Sequence, residues 1–505
     1  MTEPASQDFD LLVIGGGING AGIARDAAGR GLAVCLVEQD DLAAHTSSAS
    51  TKLIHGGLRY LEQGELRLVR EALSERERLL AIAPHIIRPL RFVLPYVDGL
   101  RPRWLLRLGL FVYDHAGGRE RLAASESLDL AGTAEGAPLR PGMQSGFAYS
   151  DCWVEDSRLV VLNARDACDR GACVLLRTQV ETAQPEGNGW TVTCRRRDGG
   201  QPLRLRARAL VNAAGAWVNE VLRQRLGIEP RQHLRLVQGS HLVLPRLYHG
   251  DHAYLLQSPD RRVVFAIPYE RQYTLIGTTD QPFTGDPARV TITPGEREYL
   301  LGCVERFFRM PVSSRDIRWA YSGVRPLFDD GSEASAQSVS RDYHLELQRT
   351  AGGAPVLSVY GGKITTYRRL AEAALGLLRG AMPDIRDMPW TDQEPLPGGD
   401  LPGADLALFT AACRERYPQL PAPRIQRLAH LYGTRITELL GNARTVGELG
   451  PAFGDDLTLA EVRYLVREEW ARSADDILWR RTRAGIGLGD SAVHDLQHAV
   501  ADLLR

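Results

Sequence analysis

An α/β fold followed by an all-helical C-terminal domain is the architecture this sequence predicts, and three observations predict it. Residues 10–38 read as strand, glycine turn, helix, strand. The middle of the chain is a succession of strand-length apolar runs, and everything beyond about residue 406 carries helical periodicity. Hydrophobic content of 44% and charged content of 24% are those of an ordinary globular protein, and 505 residues suffice for two or three packed domains.

The first unit is the most telling. DLLVIG makes a strand, GGINGAGIARDAAGRG a turn and a helix, and LAVCLVE a second strand. Gly15, Gly17 and Gly20 form a GxGxxG turn, and Glu38 ends the second strand about 20 residues on. Glycines so placed let backbone N–H groups and the helix N-terminus, with roughly +0.5 of a charge, approach a pyrophosphate. A carboxylate at the second strand end accepts from ribose hydroxyls and favours an unphosphorylated ribose, which leaves FAD or NAD. FAD is preferred, because the turn is followed by SSASTKLIHGGLRYLE and not by the helix and strand of a full NAD domain. In that segment Thr46, Ser47, Ser48, Ser50 and Thr51 can satisfy pyrophosphate and flavin edges, and Gly56 and Gly57 let backbone come close to a flat ligand. His45 raises covalent flavin attachment; noncovalent FAD is the expectation.

A helical pattern then runs from about Leu66 to Leu80 and ends near Pro84. Leu100 to His115, LRPRWLLRLGLFVYDH, sets Trp104, Leu108 and Phe111 on one helical face, Leu105 and Val112 beside them, and Arg103 and Arg107 on another. Such a helix either packs on its own domain, the reading placed slightly ahead, or lies in a lipid headgroup layer. Residues 120–148 read as an irregular excursion. ACVLLRTQVETA, WTVTCRRR, LRLRARALVNAAG, HLVLP, VVFAIPY and YTLIGTTD supply strands, and a second βαβ-like element ends at Ala214 and Gly215. Pro389 to Leu406, rich in Pro, Gly and Asp, is the clearest boundary. Beyond it Trp470 and Trp479 are available for a helical core.

The chain's balance excludes several classes. A net charge of -1 gives no field for nucleic acid. Seven cysteines without a CxxC pair suggest neither a disulfide framework nor a metal site, and a reducing cytoplasm fits. The first residues lack the basic and apolar regions of a signal peptide, and no run of about 18 uncharged apolar residues is present.

GGGINGAGIARDAAGRG, SSASTKLIHGGLRYLE, YSDCWVEDSRL, QGSHLVLPR, IGTTD, YSGVRPL, RDYHL, GGKITTYRRLAE and ADDILWRRT together resemble the FAD-dependent, aerobic respiratory glycerol-3-phosphate dehydrogenases of bacteria, from about Asp8 into the C-terminal helices. The resemblance implies a FAD-binding Rossmann-like domain (about 8–90, 150–235 and 318–385) interleaved with a mixed-sheet substrate domain (about 91–149 and 236–345), within an oxidoreductase region of residues 1–385. A linker at 386–406 and a helical domain at 407–505 complete it. It implies oxidation of sn-glycerol 3-phosphate to dihydroxyacetone phosphate, electrons passing through FAD to membrane quinone at the inner face of the cytoplasmic membrane, and it admits a homodimer. Two rival readings are a soluble oxidase that reduces oxygen to peroxide and a non-enzymatic flavin-binding protein.

Carried over by position, the cofactor set is Gly15, Gly17, Asn19, Gly20, Glu38, Thr46, Ser47, Ser50, Lys52, Leu53, His55, Gly57, Val180, Gly215, Trp217, Gly323, Gly362, Lys363 and Thr365. Arg59, Tyr60, Arg325, Arg341 and Lys363 make the substrate set, since a phosphate dianion needs convergent cations and donors. His241 is the candidate base, with His55 or water as alternatives, and Arg325 would stabilise alkoxide character. Ala216 stands where the family pattern puts proline, which bears only on the stiffness of that loop.

Of 61 cationic residues only Lys52 and Lys363 are lysine, and both fall inside these motifs. Lysine is a slim point charge whose proton affinity shifts on burial, whereas Arg is planar, bulky and permanently charged. Both sites are therefore expected to need an ammonium beside the flavin.

Overall fold

The structure, a computed structural model of the chain, describes residues 8–61, 64–97, 101–260, 262–329 and 342–505, with Arg59 given by its backbone. Strand β1 (Asp8–Ile14), helix α1 (Ile18–Gly29) and strand β2 (Val34–Val37) form the predicted opening unit. β1 is apolar almost throughout because it is the centre of a parallel array covered on both faces. The strand Leu203–Asn212 lies parallel on one side of it and β2 on the other. Pro355–Gly361 and Cys173–Leu175 extend the array in parallel, and Tyr343–Arg349 closes one edge antiparallel. An antiparallel hairpin, Thr178–Glu186 with Gly189–Arg196, joins through Leu203–Asn212. Gly20 allows α1 to press on the turn: a Cβ there would lie 1.9 Å from the Gly15 carbonyl oxygen. The five parallel strands, β1, β2, Cys173–Leu175, Leu203–Asn212 and Pro355–Gly361, run with their carboxyl ends toward the glycine turn, where such folds bind ligands.

A second, ten-stranded mixed sheet stands beside the first. Its organising pair is antiparallel, His233–Pro245 with Trp319–Asp329, in register over their shared length. That register sets Val237 opposite Arg325, Gly239 opposite Gly323 and His241 opposite Tyr321. Residues 120–148 are less irregular than expected. Glu126–Asp129 is a short strand on Ser145–Val154, too brief and too exposed to announce itself by alternation. The long helix spans Leu66–Ile82 and the amphipathic one Arg103–Ala116.

The C-terminal region is helical, with helices at Leu406–Arg416, Ala422–Tyr432, Ile436–Leu440, Leu459–Glu468 and Asp490–Leu504 and a two-strand ribbon at Ala452–Phe453 and Leu457–Thr458. Ile425, Leu428, Val462, Leu465 and Ile477 fill its core. Trp470 does not serve that core; it packs into the core of the N-terminal body. Trp479 stacks on Trp319 of the second sheet, centroids 4.7 Å apart. Arginine–carboxylate pairs close the seam: Arg481 forks onto Asp41 at 2.8 Å, Arg177 meets Asp476 at 2.7 Å, and Arg158 meets Glu469. The Arg481 and Arg158 pairs are buried, and breaking a buried pair by removing one partner typically costs about 3–5 kcal/mol, so they hold the two parts together.

Candidate active site

Two cavities meet at Thr46 and Ser47, and the site is built along them. The first, about 140 Å³, is lined by the glycine turn, Glu38, the hairpin residue Val180, and the Gly215–Trp217 turn. Glu38 accepts from the Gly16 N–H at 2.6 Å and from the Asp40 N–H at 2.8 Å, and its burial raises its pKa. Gly15 holds φ +112°, a conformation open to glycine, and so brings its backbone to the cavity wall. Ser47 accepts from the Ile18 N–H at the start of α1. His45 stands at this end, bonded to Asp40 at 3.0 Å and packed 4.7 Å from Trp217.

The second cavity, about 280 Å³, is walled by the loop Ala49–Leu58, the second sheet, and the Gly362–Thr365 segment. Three functional side chains converge here from distant parts of the chain: Tyr60, Arg325 and Lys363. Lys363 Nζ lies 3.9 Å from the Tyr60 ring centroid, a cation–π distance. Tyr60 folds over Gly57, where a Cβ would come within 2.1 Å of the ring. Arg325 crosses Gly239 in the same way, at 2.4 Å from any Cβ there, and its guanidinium binds Asp280 at 2.6 Å and Thr278 at 2.9 Å. Arg325 and Lys363, with Arg101 also in the lining, thus face one space whose wall includes the apolar Leu53, Leu106, Leu255, Val263 and Phe265. Such a space suits a flat ring on one side and a small anion on the other.

The remaining predicted residues divide. Leu53, His55, Gly57, Gly323, Gly362 and Thr365 line the second cavity, and Thr46, Ser47, Ser50 and Thr51 line it too. Those four hydroxyls are also engaged within the protein, Thr46 donating to the Val324 carbonyl and Ser50 to Asp156. Ser48 is turned away and donates to the His45 carbonyl. Asn19 lies behind the wall, tying α1 to the Gly361 carbonyl. Of the substrate set, the Arg59 side chain and all of Arg341 lie outside the described residues.

Two placements correct the sequence reading. Lys52 does not face the cofactor space; it is fully buried under the loop, donating to both Asp156 oxygens at 2.9 Å and to the Ser48 carbonyl. Burial, with Arg483 beside it, pulls its pKa down to about 8 against the attraction of Asp156. There the compact ammonium reaches the Ser48 carbonyl, the Asp156 carboxylate and, at 5.1 Å, the Tyr321 ring together. His241 likewise is fully buried and stands one shell behind the cavity, with Thr51 in front of it at 3.0 Å. Burial, then Arg325 and Lys52, hold its pKa well below the imidazole range.

Sequence reasoning passed over Asp280, Asp156, Tyr321 and Arg483. IGTTD and YSDCWVEDSRL carried the first two but were read only as family markers. Arg483 is one cation among many, and only its approach to Asp156 from the far end of the chain gives it meaning.

Comparison with known proteins gives the family. The model of the FAD dependent oxidoreductase family, DAO, matches residues 10–368, and that of the C-terminal domain of alpha-glycerophosphate oxidase matches residues 389–505. A glycerol-3-phosphate dehydrogenase of Pseudomonas aeruginosa is 50% identical over 490 residues, 97% of this chain and 94% of its own length. A D-erythritol 1-phosphate dehydrogenase of Brucella abortus is 50% identical over 483 residues, 96% of this chain and 95% of its own. Among solved structures, glycerol-3-phosphate dehydrogenase from Bacillus halodurans complexed with FAD aligns with a TM-score of 0.76 at 28% identity, over 98% of this chain and 90% of that one. The chain therefore belongs to the bacterial FAD-dependent glycerol-3-phosphate dehydrogenases, within the FAD dependent oxidoreductase family.

Proposed function

We propose that the protein oxidises sn-glycerol 3-phosphate to dihydroxyacetone phosphate and passes the electrons to a membrane quinone. The reading rests on one observation above the others: Arg325, Lys363 and Tyr60 share a cavity that continues from the glycine-turn cavity. FAD fits the pair of cavities, since the turn offers backbone N–H groups and Glu38 to its adenosine half and the wider space accepts its ring. When bound, FAD supplies the two-electron acceptor; the chain's own residues bind and polarise the substrate. Arg325 and Lys363 offer the charge that holds a phosphate dianion or the alkoxide forming at C2, and the apolar wall keeps water from the reacting carbon. Anaerobic addition of glycerol 3-phosphate should bleach the flavin's visible band; unchanged colour would sink the reading. D-erythritol 1-phosphate belongs in the same assay, because its dehydrogenase is as similar to this chain as the glycerol-3-phosphate enzymes are.

The quinone arm draws on the helix Arg103–Ala116. Leu106, Leu110 and Tyr113 are buried, while Trp104 (67% exposed), Leu108 (51%) and Phe111 (54%) face outward, so the helix both packs on its domain and offers an apolar face. Such a face bordered by arginines favours peripheral seating in a lipid headgroup layer at the inner membrane. No helix among the described residues is long and apolar enough to cross a membrane. The oxygen-reducing alternative is separated by comparing peroxide yield with the quinone-dependent rate.

A further inference from the structure

The buried position of His241 leaves a gap between it and the cavity, and Thr51 stands in that gap. His241 has no exposed surface and does not line the substrate cavity. Thr51 does line it, and its Oγ1 is 3.0 Å from His241 Nε2. We propose that Thr51 is a proton relay, its hydroxyl passing the proton of the substrate alcohol to the imidazole behind it. The inference rests on the alcohol-oxidising function proposed above and adds the residue through which the base acts.

The surroundings are built for this contact. One imidazole face stacks on Tyr321, centroids 4.7 Å apart and planes 15° from parallel, and the other lies against Gly277, where a Cβ would fall 2.0 Å from the ring. The ring therefore cannot swing into the cavity. The Tyr321 hydroxyl donates to the Ser50 carbonyl at 2.9 Å, so the same residue that clamps the ring holds the loop carrying Thr51. From beneath, Asp156 accepts from Ser50 Oγ and Lys52 Nζ, and Arg483 of the helical domain joins the same carboxylate. His241 Nδ1 makes no hydrogen bond among the described residues, so no second partner fixes the tautomer and Nε2 is able to accept.

Charge sets when the relay runs. The groups facing the ring are Thr51 and Lys52 from the loop and Tyr321 and Arg325 from the neighbouring strand, with Asp280 beyond Arg325; Gly277 brings none. The two cations oppose an imidazolium. A substrate phosphate brings about 1.5 to 2 negative charges, which offset them, so the imidazole gains basicity once substrate is in place. The step then balances. The alcohol O–H gives its proton to Thr51 Oγ1 while the Thr51 proton moves to Nε2. The O–H bonding pair becomes the second C–O bond, and the C2–H pair would leave as hydride, for which bound FAD would supply the two-electron acceptor.

Thr51→Val keeps the shape and removes the hydroxyl; Thr51→Ser restores it. In anaerobic stopped flow with FAD-loaded protein, Val should slow reduction by glycerol 3-phosphate about 100-fold with KM, flavin content and melting temperature unchanged, and Ser should recover most of the rate. Thr51→Val added to His241→Asn should cost no more than His241→Asn alone. A Val variant near the native rate, or a Ser variant as slow as Val, would overturn the relay. Protein labelled with 15N-histidine gives a second readout without turnover, since Thr51→Val should shift the His241 Nε2 resonance. If native protein is not reduced at all, the proposed function fails on its own, and an unmoved Nε2 signal then overturns the relay separately.

Discussion

The two ends of the ligand groove are made of different material. At the adenosine end the wall is built on a glycine turn and one carboxylate fixed by two N–H groups, with Val180 and Trp217 beside them. At the other end the wall is side chains delivered by a loop, the second sheet and a late turn, with Arg325 and Lys363 brought to Tyr60 from more than 260 residues away along the chain. Backbone sites are hard to alter without losing the fold. Side-chain sites can be retuned residue by residue. The protein thus keeps a fixed handle for its cofactor and an adjustable grip for its substrate.

The sharpest way to break that contrast is Gly20→Val, which sets atoms inside contact distance of the Gly15 carbonyl and should leave protein that purifies without flavin, as its absorption spectrum will record. Arg325→Leu should do the reverse, keeping flavin while lowering kcat/KM about 1,000-fold, about 4 kcal/mol. Lys363→Arg should retain both fold and flavin but cut turnover about 100-fold, because a planar guanidinium spreads the charge that the ammonium concentrates at one point beside Tyr60. A near-normal rate would show that charge alone is required there.

Acid tests the seam instead of either end. Burial lowers His85 to about 3 and His430 to about 4. Unfolded histidine takes up a proton below about 6.5 and these two do not, so stability present at neutral pH is lost as pH falls through 6.5. At pH 5 each should cost roughly 2 kcal/mol, which thermal melts of native protein and of His85→Gln will reveal. The smallest change expected is in Trp104→Ser with Phe111→Ser. It should leave dye-linked turnover intact and weaken flotation with anionic vesicles.

What could be read in advance follows the same division. The adenosine end is contiguous and conformational, and Gly15, Gly17, Gly20 and Glu38 announce it by spacing alone. At the substrate end, Arg325 was legible only through motif resemblance, since no local rule distinguishes one arginine in such a population, whereas Lys363 also stood out as one of two lysines. Lys52 was misplaced for a physical reason. A lysine in a glycine- and serine-rich loop looks like a ligand contact until the fold brings Asp156 beneath it. His241 was placed on the correct strand, but strand alternation says which face a residue takes and not how deep that face lies.

The joint at Asp156 also bears on how the molecule is made. Its second cation, Arg483, lies 327 residues further along the chain. On the ribosome, Lys52 and Asp156 are both present long before the helical segment that completes them has been translated. The oxidising chamber is thus finished among the last events of synthesis, and a nascent chain halted short of Arg483 should be unable to mature into a competent enzyme however well its glycine turn has formed.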